Sequence, residues 1–147
     1  MTKGLQIGIS MTSSDAHDRS EADALDLQGV HILLVEDSWH LGVAMKRLLE
    51  LLGADVAGPA ATTAEAERLT AERVPDVALV DFNLRDNELA DALIERLHEQ
   101  GVRVVVTSGY AVFPMASAKV AAVLQKPIAE AQLVAALRPL VAHKTAP

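Results

Sequence analysis

From Val30 onward, apolar runs of four or five residues alternate with segments whose apolar residues recur every three or four positions. His31–Val35 (HILLV) is a β-branched and apolar run long enough for a buried strand. Leu41, Met45, Leu48, Leu49 and Leu52 follow at helical spacing, and Gly53 stands where such a helix should end. Asp55–Gly58 reads as a weaker strand closed by Pro59. Thr62 with Glu65 fits a capping box and opens a helix that stops before Pro75. Val77–Val80 is the next buried strand. Leu89, Leu93 and Leu97 mark one face of a helix ending at Gly101. Val102–Val106 is a fourth strand and Ala121–Leu124 a short fifth. The last helix is expected over Ile128–Leu140, bent or ended near Pro139.

Strands separated by helical segments imply βαβ units, hence an α/β domain with a five-stranded parallel sheet and right-handed crossovers. The strands lack strict alternation, as expected when helices cover both sheet faces. Only Ala111–Val120, with Pro114 inside it, separates the fourth and fifth strands, so the helix between them should be short or missing. Residues 1–29 differ from the rest. They set Lys3 and Arg19 against Asp15, Asp18, Glu21, Asp23 and Asp26, with Ser and Thr clusters and few large apolar groups. They read as an N-terminal tail, in which Ala22–Leu27 has the makings of a helical turn, ahead of a domain over 30–147.

Composition narrows the functional classes. Half of the 147 residues are apolar, enough for a buried core, and only 3% are aromatic, so Ala, Val, Leu and Ile must build it. Lys and Arg number 13 against 20 Asp and Glu, a formal charge of −7, which argues against nucleic acid as a partner. The absence of cysteine excludes disulfides, zinc–thiolate sites and thiol nucleophiles. No apolar run approaches the roughly 20 residues that span a bilayer, and the N-terminus has no signal-peptide core. A cytoplasmic location without a membrane partner is expected. The five histidines show no metal-ligand spacing.

In an open parallel sheet, ligands bind beyond the carboxyl ends of the strands. The polar residues there are Glu36 and Asp37 after the first strand, Asp81 after the third, Thr107 and Ser108 after the fourth, and Lys126 before Pro127 after the fifth. Each has an ordinary explanation. Asp37 or Ser38 could cap a helix, Asp81 solvate a loop, Thr107 or Ser108 bond a turn, and Lys126 lie along the surface. Together they would converge on one spot. Three convergent carboxylates repel and raise one another's pKa unless a cation intervenes. Mg²⁺ is the natural one, and an aspartate beside it can attack phosphorus to become an aspartyl phosphate. Its oxygens would then be met by metal, ammonium and hydroxyl.

LLVED (Leu33–Asp37), ALVDFNL (Ala78–Leu84), VTSGY (Val106–Tyr110) and LQKP (Leu124–Pro127) agree in order and strand context with one family. From Val30 to the C-terminus the chain resembles the receiver domain of bacterial two-component response regulators. The resemblance implies a flavodoxin-like sheet of order 2-1-3-4-5. It makes Asp81 the phosphoacceptor, served by a sensor histidine kinase or a histidine phosphotransfer protein. It assigns Mg²⁺ to Glu36, Asp37, Asp81 and the backbone carbonyl of Asn83. Lys126 would pair with the aspartate and then with its phosphoryl group, and the Lys126–Pro127 bond would be cis. Ser108 takes the switch hydroxyl with Gly109 as the small residue admitting the phosphoryl group; Thr107 with Ser108 is the other alignment.

Three departures bear on output. Arg85–Glu88 replaces the usual Pro-Gly after the phosphorylation loop, Val123 stands where an aromatic is common, and the fourth helix is curtailed. After Lys126 the chain has room for little beyond one helix, so a stand-alone receiver is expected, not an enzyme beyond its own phosphorylation and dephosphorylation. It would act as a protein-interaction switch or phosphorelay intermediate, its downstream protein unspecified, and dimerisation through the altered face is compatible with the sequence. The rivals are a receiver-like module that no longer phosphorylates and a Mg²⁺-dependent phosphohydrolase with an aspartate nucleophile. The latter wants a carboxylate two residues past the nucleophile, where Asn83 stands. Trp39, two residues beyond Asp37, is expected at the surface near the acidic pocket.

Overall fold

The computed structural model describes residues 25–84, 89–109 and 119–145. Five strands and four helices occur among them: β1 (His31–Val35), α1 (Trp39–Leu51), β2 (Asp55–Ala60), α2 (Thr63–Glu72), β3 (Val77–Asp81), α3 (Asp91–Glu99), β4 (Arg103–Ser108), β5 (Ala122–Gln125) and α4 (Glu130–Thr145). All neighbouring strands pair in parallel, in the order β2-β1-β3-β4-β5. This is the doubly wound 2-1-3-4-5 sheet. The curtailed helix expected between β4 and β5, and the Arg85–Glu88 loop, fall mostly or wholly on residues outside those described.

Two apolar layers clamp the sheet. On one face Ile32, Leu34, Leu79 and Val105 meet Met45 and Leu49 of α1 and Leu133, Leu137 and Val141 of α4. On the other, Leu33, Val35, Val80 and Val106 meet Ala66 of α2 and Leu93, Ile94 and Leu97 of α3. Period-two alternation thus sends even-numbered residues of β1 toward α1 and odd ones toward α2. β1, β3 and most of β4 are buried on both faces. In contrast, β5 alternates half-buried with exposed residues, and Val123 is 41% exposed.

The local signals resolve into particular contacts. Ser38, not Asp37, caps α1, its Oγ accepting from the Leu41 N–H at 3.4 Å. Thr62 Oγ1 accepts from Glu65 N–H at 3.2 Å while Glu65 Oε1 accepts from Ala61 N–H at 2.9 Å, a capping box displaced by one residue. Gly53 follows α1 at φ +107°.

Several expected boundaries shift. β2 does not stop at Pro59 but runs to Ala60, because it is an edge strand and a register shift removes the need for a proline N–H. Leu89 lies before α3 in an isolated antiparallel bridge to Asn83, and the buried face of the helix is made by Leu93, Ile94 and Leu97. α4 starts two residues later than Ile128 and passes through Pro139. Leu137 and Val141 on either side are buried, and the residue four before the proline, Ala135, is exposed, so water can reach the carbonyl that the ring leaves without a donor. Leu25 and Leu27, assigned by composition to the tail, belong to the α1-side core, and Leu27 N–H donates to Leu52 O at 2.8 Å. Residues 1–24 lie outside those described.

Candidate functional site: a carboxylate–lysine pocket

β1, β3 and β4 end side by side, and the polar residues of the motifs gather at that edge. Leu34 and Leu79 point toward α1 and α4, so two residues on Glu36 and Asp81 emerge on the same side. Both are almost fully buried, at 3% and 4% exposure, and Asp37 is half-buried. One carboxylate oxygen from each of Glu36, Asp37 and Asp81 lies within 4.8 Å of the others.

Lys126 reaches this cluster from the turn after β5. Its Nζ donates to Asp81 Oδ2 at 3.1 Å and lies 3.1 Å from Glu36 Oε1 and 3.4 Å from Oε2. Its backbone N–H donates to Ser108 O at 2.8 Å, tying the turn to the end of β4, and the Lys126–Pro127 bond is cis, as the resemblance implies. Backbone donors complete the carboxylate shell. Ser38 N–H meets Glu36 Oε2 at 3.1 Å and Asn83 N–H meets Asp81 Oδ1 at 3.2 Å.

Electrostatically the pocket is over-supplied with negative charge. Burial pushes the Glu36 carboxyl above its ordinary value, Asp81 adds to the rise, and the Ser38 N–H and Lys126 oppose it. Burial pulls the Lys126 ammonium down, yet the hydrogen bond and charge of Asp81, with those of Glu36, outweigh it and leave its pKa raised. One ammonium therefore faces three carboxylates, two of them desolvated. A hard divalent cation suits that donor set.

The hydroxyls are not past β4, as expected, but are its last two residues, both buried. Thr107 pairs with Asp81 across the strands and Ser108 with Gln125, next to Lys126. Val105, two residues before Thr107, packs with Leu79 on the α1 and α4 side, so Thr107 shares the side of Asp81, whereas Ser108 follows Val106 toward α2 and α3. Asn83 follows Asp81 and bridges to Leu89, closing the loop that holds Arg85–Glu88. Trp39 opens α1 at 68% exposure, its ring edge-on to His40. Sequence reasoning foresaw the charged groups but missed the Ser38 N–H, a backbone donor that residue type does not reveal, and the Gly58–Pro59 bulge beside Glu36, whose glycine and proline it read as the end of the strand.

A doubly wound sheet with a carboxylate–lysine pocket at its carboxyl edge defines a class of α/β domain, and a family model fixes which one. The response regulator receiver domain matches residues 32–138, and the chain belongs to that family. Solved structures agree in fold. A CheY-like receiver domain from Methylobacillus flagellatus is 28% identical over 79% of this chain and 98% of its own, with a TM-score of 0.63. The receiver domain of the PhyR response regulator of Erythrobacter litoralis is 23% identical over 82% and 96%, at 0.68. The response regulator PhyR of Brucella abortus is 20% identical at 0.72; the match takes in 91% of this chain and 56% of that longer one. No curated protein matches the chain in sequence.

Proposed function

We propose that this receiver accepts a phosphoryl group on Asp81 in a Mg²⁺-dependent reaction and serves as a protein-interaction switch or relay intermediate. The observation that carries the reading is the convergence of three carboxylates on one lysine at the strand ends. Glu36, Asp37, Asp81 and the Asn83 carbonyl would hold the cation, whose role is to neutralise phosphoryl oxygens. Asp81 supplies the nucleophilic oxygen, and Lys126, already on Oδ2, moves its contact to the incoming phosphoryl group. Thr107, the other alignment, supplies the switch hydroxyl: it pairs with Asp81 across the strands and, two residues beyond Val105, lies on the same side of the sheet, whereas Ser108 follows Val106 to the opposite side.

The donor would be a histidine kinase or a histidine phosphotransfer protein, and the site catalyses only its own phosphorylation and dephosphorylation. Output is then contact with another protein. No described helix is long and apolar enough to cross a membrane.

Incubation with acetyl phosphate and Mg²⁺ should add one phosphoryl group by intact mass, with acetate leaving as the Asp81 oxygen bonds to phosphorus. Chelation should abolish the adduct. Lys126→Ala should still take up phosphate but lose the conformational response to it. Thr107→Val against Ser108→Ala separates the two hydroxyls: the response should fail in the first and persist in the second. A chain that takes up no phosphate and does not bind beryllofluoride with Mg²⁺ would be an interaction module instead.

A further inference from the structure

β2 carries one residue more than its partner requires. While β1 advances from Leu33 to Val35, β2 advances from Ala57 to Ala60, so Gly58 and Pro59 together oppose Leu34. Ala57 and Ala60, an odd three residues apart, consequently both pack on the α2 side. Gly58 has φ +104°, and a Cβ there would stand 2.3 Å from Leu34 O, so the bulge demands glycine.

This bulge is clasped by α1. Lys46 Nζ donates to Gly58 O at 3.0 Å. Gly42, buried in the first turns of the helix, lies so close to Pro59 that a Cβ would meet the proline Cβ at 2.8 Å and Cγ at 3.0 Å. The same Cβ would touch the Glu36 Cβ at 3.8 Å. Immediately past the bulge, Ala60 O accepts the Glu36 N–H at 2.8 Å. Gly42 N–H in turn donates to Ser38 O at 2.8 Å, and Ser38 N–H holds Glu36 Oε2. The contact is thus bonded on both sides to the turn that presents Glu36 and Asp37.

We propose that the seat of Gly42 on the Gly58–Pro59 bulge is a positioning contact for the acidic pair. It sets how closely the start of α1 lies on the sheet, and with it the approach of Glu36 and Asp37 to Asp81. The inference rests on the reading of these carboxylates as a Mg²⁺ site. Neither glycine nor proline touches the cation; they act through the turn. A purely structural role would instead lower the melting temperature of Gly42→Ala through the collision with Pro59 and leave Mg²⁺ affinity unchanged.

Mg²⁺ titration by calorimetry on the full chain tests this, with melting followed in parallel. Gly42→Ala should weaken Mg²⁺ binding by about tenfold to a hundredfold, the range of outer-shell substitutions at metal sites. Gly42→Ala combined with Pro59→Gly, which removes the colliding ring, should regain most of that affinity. Ile94→Val, on the opposite face, should lower the melting temperature and leave Mg²⁺ affinity unchanged. Wild-type affinity in Gly42→Ala, or no recovery in the double variant, would overturn the proposal while leaving the metal site standing. Should Gly42→Ala not fold, Lys46→Met frees the bulge from α1 and should weaken Mg²⁺ binding; unchanged affinity there overturns it equally. A wild-type chain that binds no Mg²⁺ would instead remove the site reading itself.

Discussion

Two ionisable side chains of the pocket, Glu36 and Lys126, respond to pH in ways that can be told apart. Glu36 holds its proton more tightly in the fold than in the unfolded chain, through burial first and Asp81 second. Its contribution to stability is therefore complete below its ordinary value of 4.5 and is lost as pH rises through the raised value. The metal-free protein should lose stability over that interval, and Glu36→Gln should flatten this part of the curve. Melting temperatures across the acid-to-neutral range, wild type beside Glu36→Gln, would show it; parallel curves would contradict it. Mg²⁺ should reverse the trend, because binding favours the ionised carboxylate, so the stabilisation by a fixed Mg²⁺ concentration should grow with pH over the same interval. Lys126 has the same sign of linkage at the other extreme. Its raised pKa secures the ion pairs below its ordinary 10.5, and that stability is lost only as pH rises through the higher value. At neutral pH Lys126→Met should thus destabilise the metal-free chain by leaving Glu36 and Asp81 without their ammonium, and Mg²⁺ should narrow the deficit.

At the scale of elements, caps and turns act as the sequence signals them, and core contacts decide where they conflict. Thr62 and Glu65 are both engaged at the start of α2, so Thr62→Ala should cost about 1 kcal/mol in denaturant unfolding with an unchanged m-value. No loss would mean that the box is ornamental. Element type was legible throughout: short β-branched runs became strands, and three- and four-residue spacing became helices. Boundaries were less so, for physical reasons. Leu89 has the spacing of a helical residue, but it bridges to Asn83 before α3 begins. Pro139 looks like a stop, yet burial of Leu137 and Val141 keeps α4 running. Pro59 looks like a strand end, yet the bulge accommodates it. Each miss arises where a contact distant in sequence overrode a local preference. The site was legible for a complementary reason. A parallel sheet places every strand's carboxyl end on one edge, so residue type and strand order alone bring Glu36, Asp37, Asp81 and Lys126 together.

Taken whole, the molecule is a sheet whose two faces do different work. The α2–α3 face is apolar along β1 and β3 and along β4 until Ser108, whereas the α1–α4 face grades from leucine and valine into the carboxylates and Lys126. That gradient places repelling charges in partial burial, held by one ammonium and a few backbone donors, which is the arrangement a cation and a phosphoryl group can exploit. The most direct test of the central claim is the position of the phosphoryl group. After treatment with acetyl phosphate and Mg²⁺, borohydride reduction converts a phosphorylated aspartate to homoserine, which peptide mapping by mass spectrometry can locate. Homoserine at position 81, absent without Mg²⁺ and absent from Asp81→Asn, is the predicted result; a modification at Asp37 or at another carboxylate, or one that persists in Asp81→Asn, would contradict it.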